Sequence, residues 1–301
     1  MTTFGVHIGL QETTTDEVLA LYRKIDQLGY GWISVWDHFY SANLLSPECF
    51  EAVAMQAAMA MVTKRVRIGS LVYSIGYRHP AVIAKALTTI DHLSGGRVDV
   101  GLGAGWHEPE YRAYGMDFPS LTTRFEQLDE GLQVLKGLLH SDVGNFEGKY
   151  FSLNDARNEP RPVQAKMPIW IGGGGEKKTL RLAARHADGW NVPFVSPEAF
   201  ARKVGILHEH CADVGRDPSE VRCTVNVGIA FTEDSLQKQF GKIAEGVRPG
   251  VLIGSDQQMI DRIGEYEAAG ATQINLALRA PFEPETLDRF AALLGLESAA
   301  S

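Results

Sequence analysis

Cysteine is scarce in this sequence: Cys49, Cys211 and Cys223 are the only three in 301 residues. No CxxC pair and no zinc-type Cys/His spacing occurs, and an odd count fits a disulfide framework poorly. A reducing compartment, the cytoplasm, is the expectation. Also missing is any apolar run of the roughly 18 residues that a membrane-spanning helix needs. The opening MTTFGVHIGLQETTTDE lacks the basic-then-apolar order of a secretory leader. Positive charge is not in excess either: 29 Lys and Arg against 37 Asp and Glu give a net charge of −8. That balance argues against a nucleic-acid or anionic-membrane partner, though not against a local anion pocket. There is no GxSxG elbow and no HExxH helix, and no metal site is read.

Short apolar runs alternate with amphipathic ones almost from end to end. FGVHIGL (4–10), GWISVWD (31–37), VRIGSLVYS (66–74) and RVDVGLGAG (97–105) read as strands. KMPIWIGG (166–173), DGWNVPF (188–194), VRCTVNVGIAF (221–231) and ATQINLAL (271–278) read the same way. Helices are predicted over 15–29, 47–62 with Pro47 in its first turn, 80–94, 120–140, 176–187, 197–214, near 234–245, 256–269 and 284–295. VLIGS (251–255) reads as a link. Residues 141–166, with Gly144, Gly148, Pro160 and Pro162, read as an excursion. Eight βα units without a composition break predict one (β/α)₈ TIM barrel over 1–301 with an insertion. An open doubly wound sheet is the alternative, but its GxGxxG turn is absent after the first strand.

In a barrel the chemistry belongs at the carboxyl ends of the strands. Four consecutive glycines, Gly172 to Gly175, follow strand five and precede a helix, with Glu176, Lys177 and Lys178 next. Glycine lets backbone N–H groups approach an anion closely, and a helix start adds its positive dipole end. A phosphate-bearing cofactor is the ligand this pattern suits; a tight turn is the other reading. Asp37-His38 ends strand two. A histidine exchanges protons near neutral pH and a carboxylate can orient it. Gly103-x-Gly105 before Trp106 is a weaker signal, a GxG turn with a possible stacking wall. His107 and Glu108 read as surface residues of the helix that follows. His7 reads as a core histidine inside strand one.

With these residues placed, the chain resembles the luciferase-like monooxygenase superfamily, and within it the oxidoreductases that use the deazaflavin coenzyme F-420. The stretches that carry the likeness are GYGWISVWDHF (29–39), TKRVRIGSLVYSIGYRHPAVIAKALTTIDHLSGGRVDVGLGAGWHEPEYRAYG (63–115), RFEQLDEGLQVLKGLL (124–139), PIWIGGGGEKKTLRLAARHADGWN (168–191) and GSDQQMIDRIGEYEAAGATQINLAL (254–278). The resemblance implies a barrel with an insertion, a homodimer, and a flavin or deazaflavin at the rim with its phosphate on the strand-five glycines. It implies a bulge with a non-proline cis peptide after strand three, which maps to Leu71-Val72, with Tyr73 and Ser74 next. It implies that Asp37 contacts the ring system and that His38 lies near the substrate as proton donor or acceptor. Gly105, Trp106 and Gly172 to Glu176 complete the expected cofactor contacts. The reaction expected is hydride transfer between the deazaflavin and a small organic substrate. An FMN-dependent monooxygenase, a non-catalytic flavin-binding protein and a non-redox barrel such as a phosphosugar isomerase are the alternatives. One departure stands out: sugar-phosphate dehydrogenases of the superfamily have an acidic residue where this chain has Trp106, so that substrate is not expected and Glu108 does not inherit the acid's role.

Overall fold

The computed structural model describes residues 2–40, 48–141 and 144–296. The part of the predicted second helix that includes Pro47 lies outside them. The chain opens β1 (Thr3–Ile8), α1 (Thr15–Gln27), β2 (Trp32–Val35), α2 (Ala52–Val62), β3 (Arg67–Ser70), β4 (Tyr73–Ser74), α3 (Pro80–Ser94) and β5 (Val100–Gly103). It continues α4 (Glu108–Ala113), α5 (Leu121–His140), a small hairpin β6 (Phe146–Glu147) and β7 (Ser152–Leu153), β8 (Ile169–Gly172), α6 (Thr179–His186), β9 (Gly189–Pro193) and α7 (Pro197–Asp213). It ends β10 (Arg222–Ala230), α8 (Glu233–Phe240), α9 (Ala244–Val247), β11 (Val251–Ile253), α10 (Asp256–Ala268), β12 (Gln273–Leu278) and α11 (Pro284–Leu293).

The main sheet runs β3-β2-β1-β12-β10-β9-β8-β5-β4, with β11 beside β10. All its pairings are parallel. A parallel bridge between Ile68 of β3 and Val98, just before β5, joins the two sides of the sheet, and the architecture is the (β/α)₈ barrel. The strands are buried on both faces because helices cover the outside and the barrel fills itself. Sequence signals set the helix starts. Thr14 caps α1 and Ser255 caps α10, each in a reciprocal capping box with the third helical residue. Pro80 and Pro197 sit in the first turns of α3 and α7.

The inside of the barrel is divided. Trp32 and Trp170, from β2 and β8, meet at 5.6 Å with Leu71 and Val72 beside them. The Trp32 indole donates to Asp99 Oδ2 at 2.8 Å. Across from them is a polar ladder. Asn191 Nδ2 donates to Asn226 Oδ1 and Thr224 Oγ1, each at 3.0 Å, and Asn275 Nδ2 donates to the same Asn226 oxygen at 3.0 Å. Buried amides with complete partners specify register strongly, since a slip would strand them.

Three predicted elements are corrected. The third strand is not continuous: it breaks between Ser70 and Tyr73, where the Leu71-Val72 peptide is cis, as the resemblance implied. The Val72 side chain packs where Gly101, Gly103 and Gly172 have no Cβ; at Gly172 a Cβ would come within 2.8 Å of it. The second helix begins at Ala52, because Cys49 is still extended and bridges Gln11. The link at 251–253 is a strand, since β10 is nine residues long and its last third, Gly228 to Ala230, takes β11 as partner. Helix α4 is the helix expected to follow strand four, for which the sequence supplied no bounds.

Candidate active site

A cavity of about 650 Å³ opens at the carboxyl ends of the strands. Of the expected site residues, Asp37, His38, Leu71, Val72, Ser74, Gly105, Trp106, Gly172 and Gly173 line it. Tyr73 does not. It is fully buried and points outward, its hydroxyl bonded to Gln56 of α2, because neighbours on a strand face opposite ways and Ser74 takes the inward place. Gly174, Gly175 and Glu176 also stand outside the wall. Glu176 turns back to Arg202 at 2.8 Å and Lys203 at 3.2 Å, so it serves the loop rather than the cavity.

The glycine loop forms one end of the cavity. Its carbonyls are drawn away from the opening: Trp190 Nε1 donates to Gly173 O (2.8 Å), Lys203 Nζ to Gly174 O (2.7 Å) and His210 Nε2 to Glu176 O (2.9 Å). A carbonyl only accepts, so His210 carries its proton on Nε2. Gly173 has φ +123°, a conformation that only glycine adopts without strain. Helix α6 begins at Thr179 with no side-chain cap, and Thr179 lines the cavity. Uncapped N–H groups beside a loop without Cβ atoms are what a phosphate group fits. The donor set therefore fits a phosphate group.

The opposite corner is built from side chains far apart in sequence. Asp37 does not hold His38. Its carboxylate is buried and takes both arms of Arg78, Oδ2 to Nη1 at 2.7 Å and Oδ1 to Nη2 at 3.0 Å, and accepts the Ser74 N–H at 3.0 Å. Burial pushes the Asp37 carboxyl above the ordinary carboxylate range, against the pull of Arg78. The partner of His38 is Glu110, on α4, which is fully buried. Its Oε2 accepts from His38 Nδ1 at 2.7 Å and from the Tyr77 hydroxyl at 2.7 Å; its Oε1 accepts from the N–H groups of Phe39 (2.6 Å) and Tyr40 (3.2 Å). Burial alone would raise this carboxyl, but the hydrogen bonds and charge of His38 and the Tyr77 and Phe39 donors bring it down to about 2. Glu110 is thus an ionised acceptor, His38 Nδ1 carries a proton, and Nε2 is the nitrogen left for a ligand in the cavity.

His107 is buried rather than on the surface, and its Nδ1 lies 2.8 Å from Glu110 Oε2 without hydrogen-bonding alignment. Glu108 is at the surface, paired with Arg112 at 2.5 Å. The ligand-type atoms of His38, His107 and Glu110 lie within 4.8 Å of one another. The 2.7 Å between His38 and Glu110 is shorter than the roughly 3.3 Å between two ligands of one tetrahedral zinc. The geometry is that of a proton-bearing pair. Trp106, 65% exposed, forms the outer lip, with its ring 5.7 Å from His38. His7 lies in the floor, Nδ1 2.7 Å from Ser34 Oγ. Burial, with Arg279 and His38 nearby, depresses it to about 3, so it is neutral.

Sequence reasoning missed Glu110, Tyr77 and Arg78. The one available signal was a second acid, three residues after His107, in the GAGWHEPEY stretch; nothing local says that it returns to strand two.

A closed parallel barrel with its cavity at the carboxyl rim, a phosphate-type glycine loop and a carboxylate-oriented histidine defines an enzyme fold of the cofactor-binding kind. The chain belongs to the luciferase-like monooxygenase family, whose pattern it matches over residues 1–239. It is 36% identical over 168 residues to the F420-dependent glucose-6-phosphate dehydrogenase of Amycolatopsis mediterranei, covering 56% of this chain and 50% of that one. It is 30% identical over 261 residues to the pyrimidine monooxygenase RutA of Caulobacter vibrioides, covering 83% and 67%. The chain spans about half the length of most of the curated relatives it matches. Among solved structures, an F420-dependent secondary alcohol dehydrogenase in complex with an F420–acetone adduct superposes with a TM-score of 0.87 at 21% identity over 98% of both chains. A long-chain alkane monooxygenase superposes at 0.81 and 16% identity over 99% of this chain and 93% of that one. These two likenesses are of fold.

Proposed function

We propose that this protein is an oxidoreductase that transfers a hydride between the deazaflavin coenzyme F-420 and a small organic substrate. The observation that carries the reading is the pair His38–Glu110 inside the cavity whose other end is the glycine loop. Bound there, the deazaflavin supplies or accepts a hydride at its central ring carbon. Gly172, Gly173 and the start of α6 would hold its phosphate. Lys177, Lys178 and Arg181, just beyond, suit its acidic tail; Lys178 Nζ is already ordered by Thr122 at 3.0 Å. Leu71 and Val72 form an apolar back wall for the ring. Reduction of a carbonyl needs a proton on its oxygen as the hydride reaches carbon, and His38 Nε2 is the group to give it; oxidation of an alcohol returns that proton to Nε2. Glu110 fixes the tautomer and holds the imidazolium. Asp37 acts through Arg78 and the Ser74 amide, shaping the wall rather than moving protons. With Trp106 at the position of the acid, a sugar phosphate remains an unexpected substrate.

The monooxygenase relatives support a second reading, FMN with oxygen. A homodimer belongs to the proposal as well: α2 and α3 leave Met61 and Val82, 65% and 60% exposed, on the barrel's outer surface, which sedimentation can test. Titrating the protein with deazaflavin and with FMN, followed by tryptophan quenching, separates the readings. The deazaflavin should bind at least about tenfold tighter, about 1.4 kcal/mol. Tighter FMN, with oxygen consumed on adding reduced FMN and an aldehyde, selects the monooxygenase. Binding of neither removes both.

A further inference from the structure

One charged group in the cavity has no task in the chemistry above. Arg279 stands at the end of β12 and lines the wall away from the glycine loop. Among the described residues it makes no ion pair, and its buried Nε has no hydrogen-bond partner. Its guanidinium carbon sits 5.1 Å above the Trp36 ring and 5.9 Å from Phe240. Burial pulls it below the ordinary arginine range. A cation over an indole gains about 0.5–2 kcal/mol, but the planar fork is left without an acceptor from the described side chains. Near Trp36, in the same cavity, Gln11 is 6% exposed and its side-chain oxygen is also without a partner. Neighbouring His7 is neutral and cannot compete for an anion. Trp36, Phe194 and Ile243 add apolar lining to the same cavity.

We propose that the Arg279 side of the cavity is the substrate subsite and that it binds an organic carboxylate with a small apolar or aromatic body. The fork takes both carboxylate oxygens, Trp36 covers the body, and Gln11 Oε1 accepts from a hydroxyl or N–H of the same ligand. Trp36 also touches His38, at 6.0 Å between rings. A carboxylate on Arg279 therefore stands about one indole away from the proton-transferring nitrogen, which suits a small oxo or hydroxy acid. This deepens the function proposed above and rests on it for the reaction, though not for the binding.

The test uses benzoate against benzamide, which share a shape and differ in charge. Quenching of tryptophan fluorescence, to which Trp36 contributes, reads binding with and without deazaflavin. In the wild-type protein benzoate should bind at least tenfold tighter than benzamide. Arg279→Met should erase that preference and Arg279→Lys should keep part of it, with deazaflavin affinity unchanged in both. Equal binding of the two probes, no binding of either, or a preference that survives in folded Arg279→Met overturns the proposal. So does a tenfold loss of deazaflavin affinity in Arg279→Met with benzoate binding intact, which would make Arg279 a cofactor contact. If Arg279→Met does not fold, the wild-type and Arg279→Lys arms still decide. Benzoate preference without any binding of deazaflavin would refute the redox reading alone.

Discussion

The two ends of the cavity are made in different ways. The glycine-loop end is backbone: Gly172, Gly173 and the uncapped start of α6, all within eight residues. The histidine end is side chain: His38 from the end of β2, Tyr77 and Arg78 from the loop after β4, and Glu110 from α4, separated by as much as 72 positions. A backbone site tolerates changes of nearby side chains and responds to loss of glycine. A network centred on one buried carboxylate depends on that carboxylate, because each of its four donors loses its acceptor together. The loop end is thus expected to set affinity, and the histidine end to set rate.

Variants should divide along that line. The largest effect is expected for His38→Ala: about 10²-fold or more slower turnover, the scale of lost general acid–base catalysis, with cofactor affinity nearly unchanged. Normal turnover from pH 5 to 9 would make His38 a wall residue. Glu110→Gln comes next. An amide can no longer be an anion for His38, and turnover should fall by roughly tenfold to 10²-fold, with the pH–rate profile shifted, as a merely structural residue would not shift it. On the loop, Gly173→Val should cost about tenfold in cofactor affinity, about 1.4 kcal/mol, while bound enzyme turns over at the normal rate. The smallest effect is expected from neutralising Lys177 and Lys178 together. It should narrow the preference for deazaflavin over FMN by a few-fold in low salt, and less at physiological ionic strength, where exposed charges are screened.

Stability against acid should show the same division. Glu110 has a folded value near 2, below its ordinary 4.5, so its contribution is complete above the ordinary value and lost as pH falls through about 2. His7 has a folded value near 3 against 6.5. The unfolded chain takes up its proton first, so stability declines as pH falls from 6.5 toward 3. His7→Gln should therefore flatten the thermal midpoint between pH 6.5 and 4, and Glu110→Gln should flatten it only below about 4.5. Glu110 at the histidine end and His7 in the floor carry this acid sensitivity; glycine-loop variants should leave the profile unchanged.

The comparison also explains what could be read before the structure. Gly172 to Gly175 and the α6 start are contiguous, so the loop-to-helix arrangement is visible in the string. The barrel is legible for the same reason, since each βα unit is local and repeats. Asp37-His38 was visible as a pair, but adjacency misled: consecutive residues diverge, and Asp37 went to Arg78 while His38 went to Glu110. Tyr73 and Ser74 show the same alternation, with only Ser74 reaching the cavity. Glu110 was illegible because nothing local in the six-residue α4 shows that its side chain returns to the end of β2, 72 positions earlier. Arg279 follows the strand predicted over 271–278, and nothing local marks it. Its lack of a partner is a property of three-dimensional surroundings.

The most direct measurement is anaerobic single turnover. Reduced deazaflavin, bound to wild-type protein under argon, is mixed with small oxo acids and its reoxidation is followed optically. Reoxidation without oxygen, slowed about 10²-fold or more in His38→Ala with the same cofactor affinity, is what hydride transfer assisted by His38 predicts. Reoxidation that proceeds as fast in His38→Ala, or that occurs only with reduced FMN and oxygen, would contradict it.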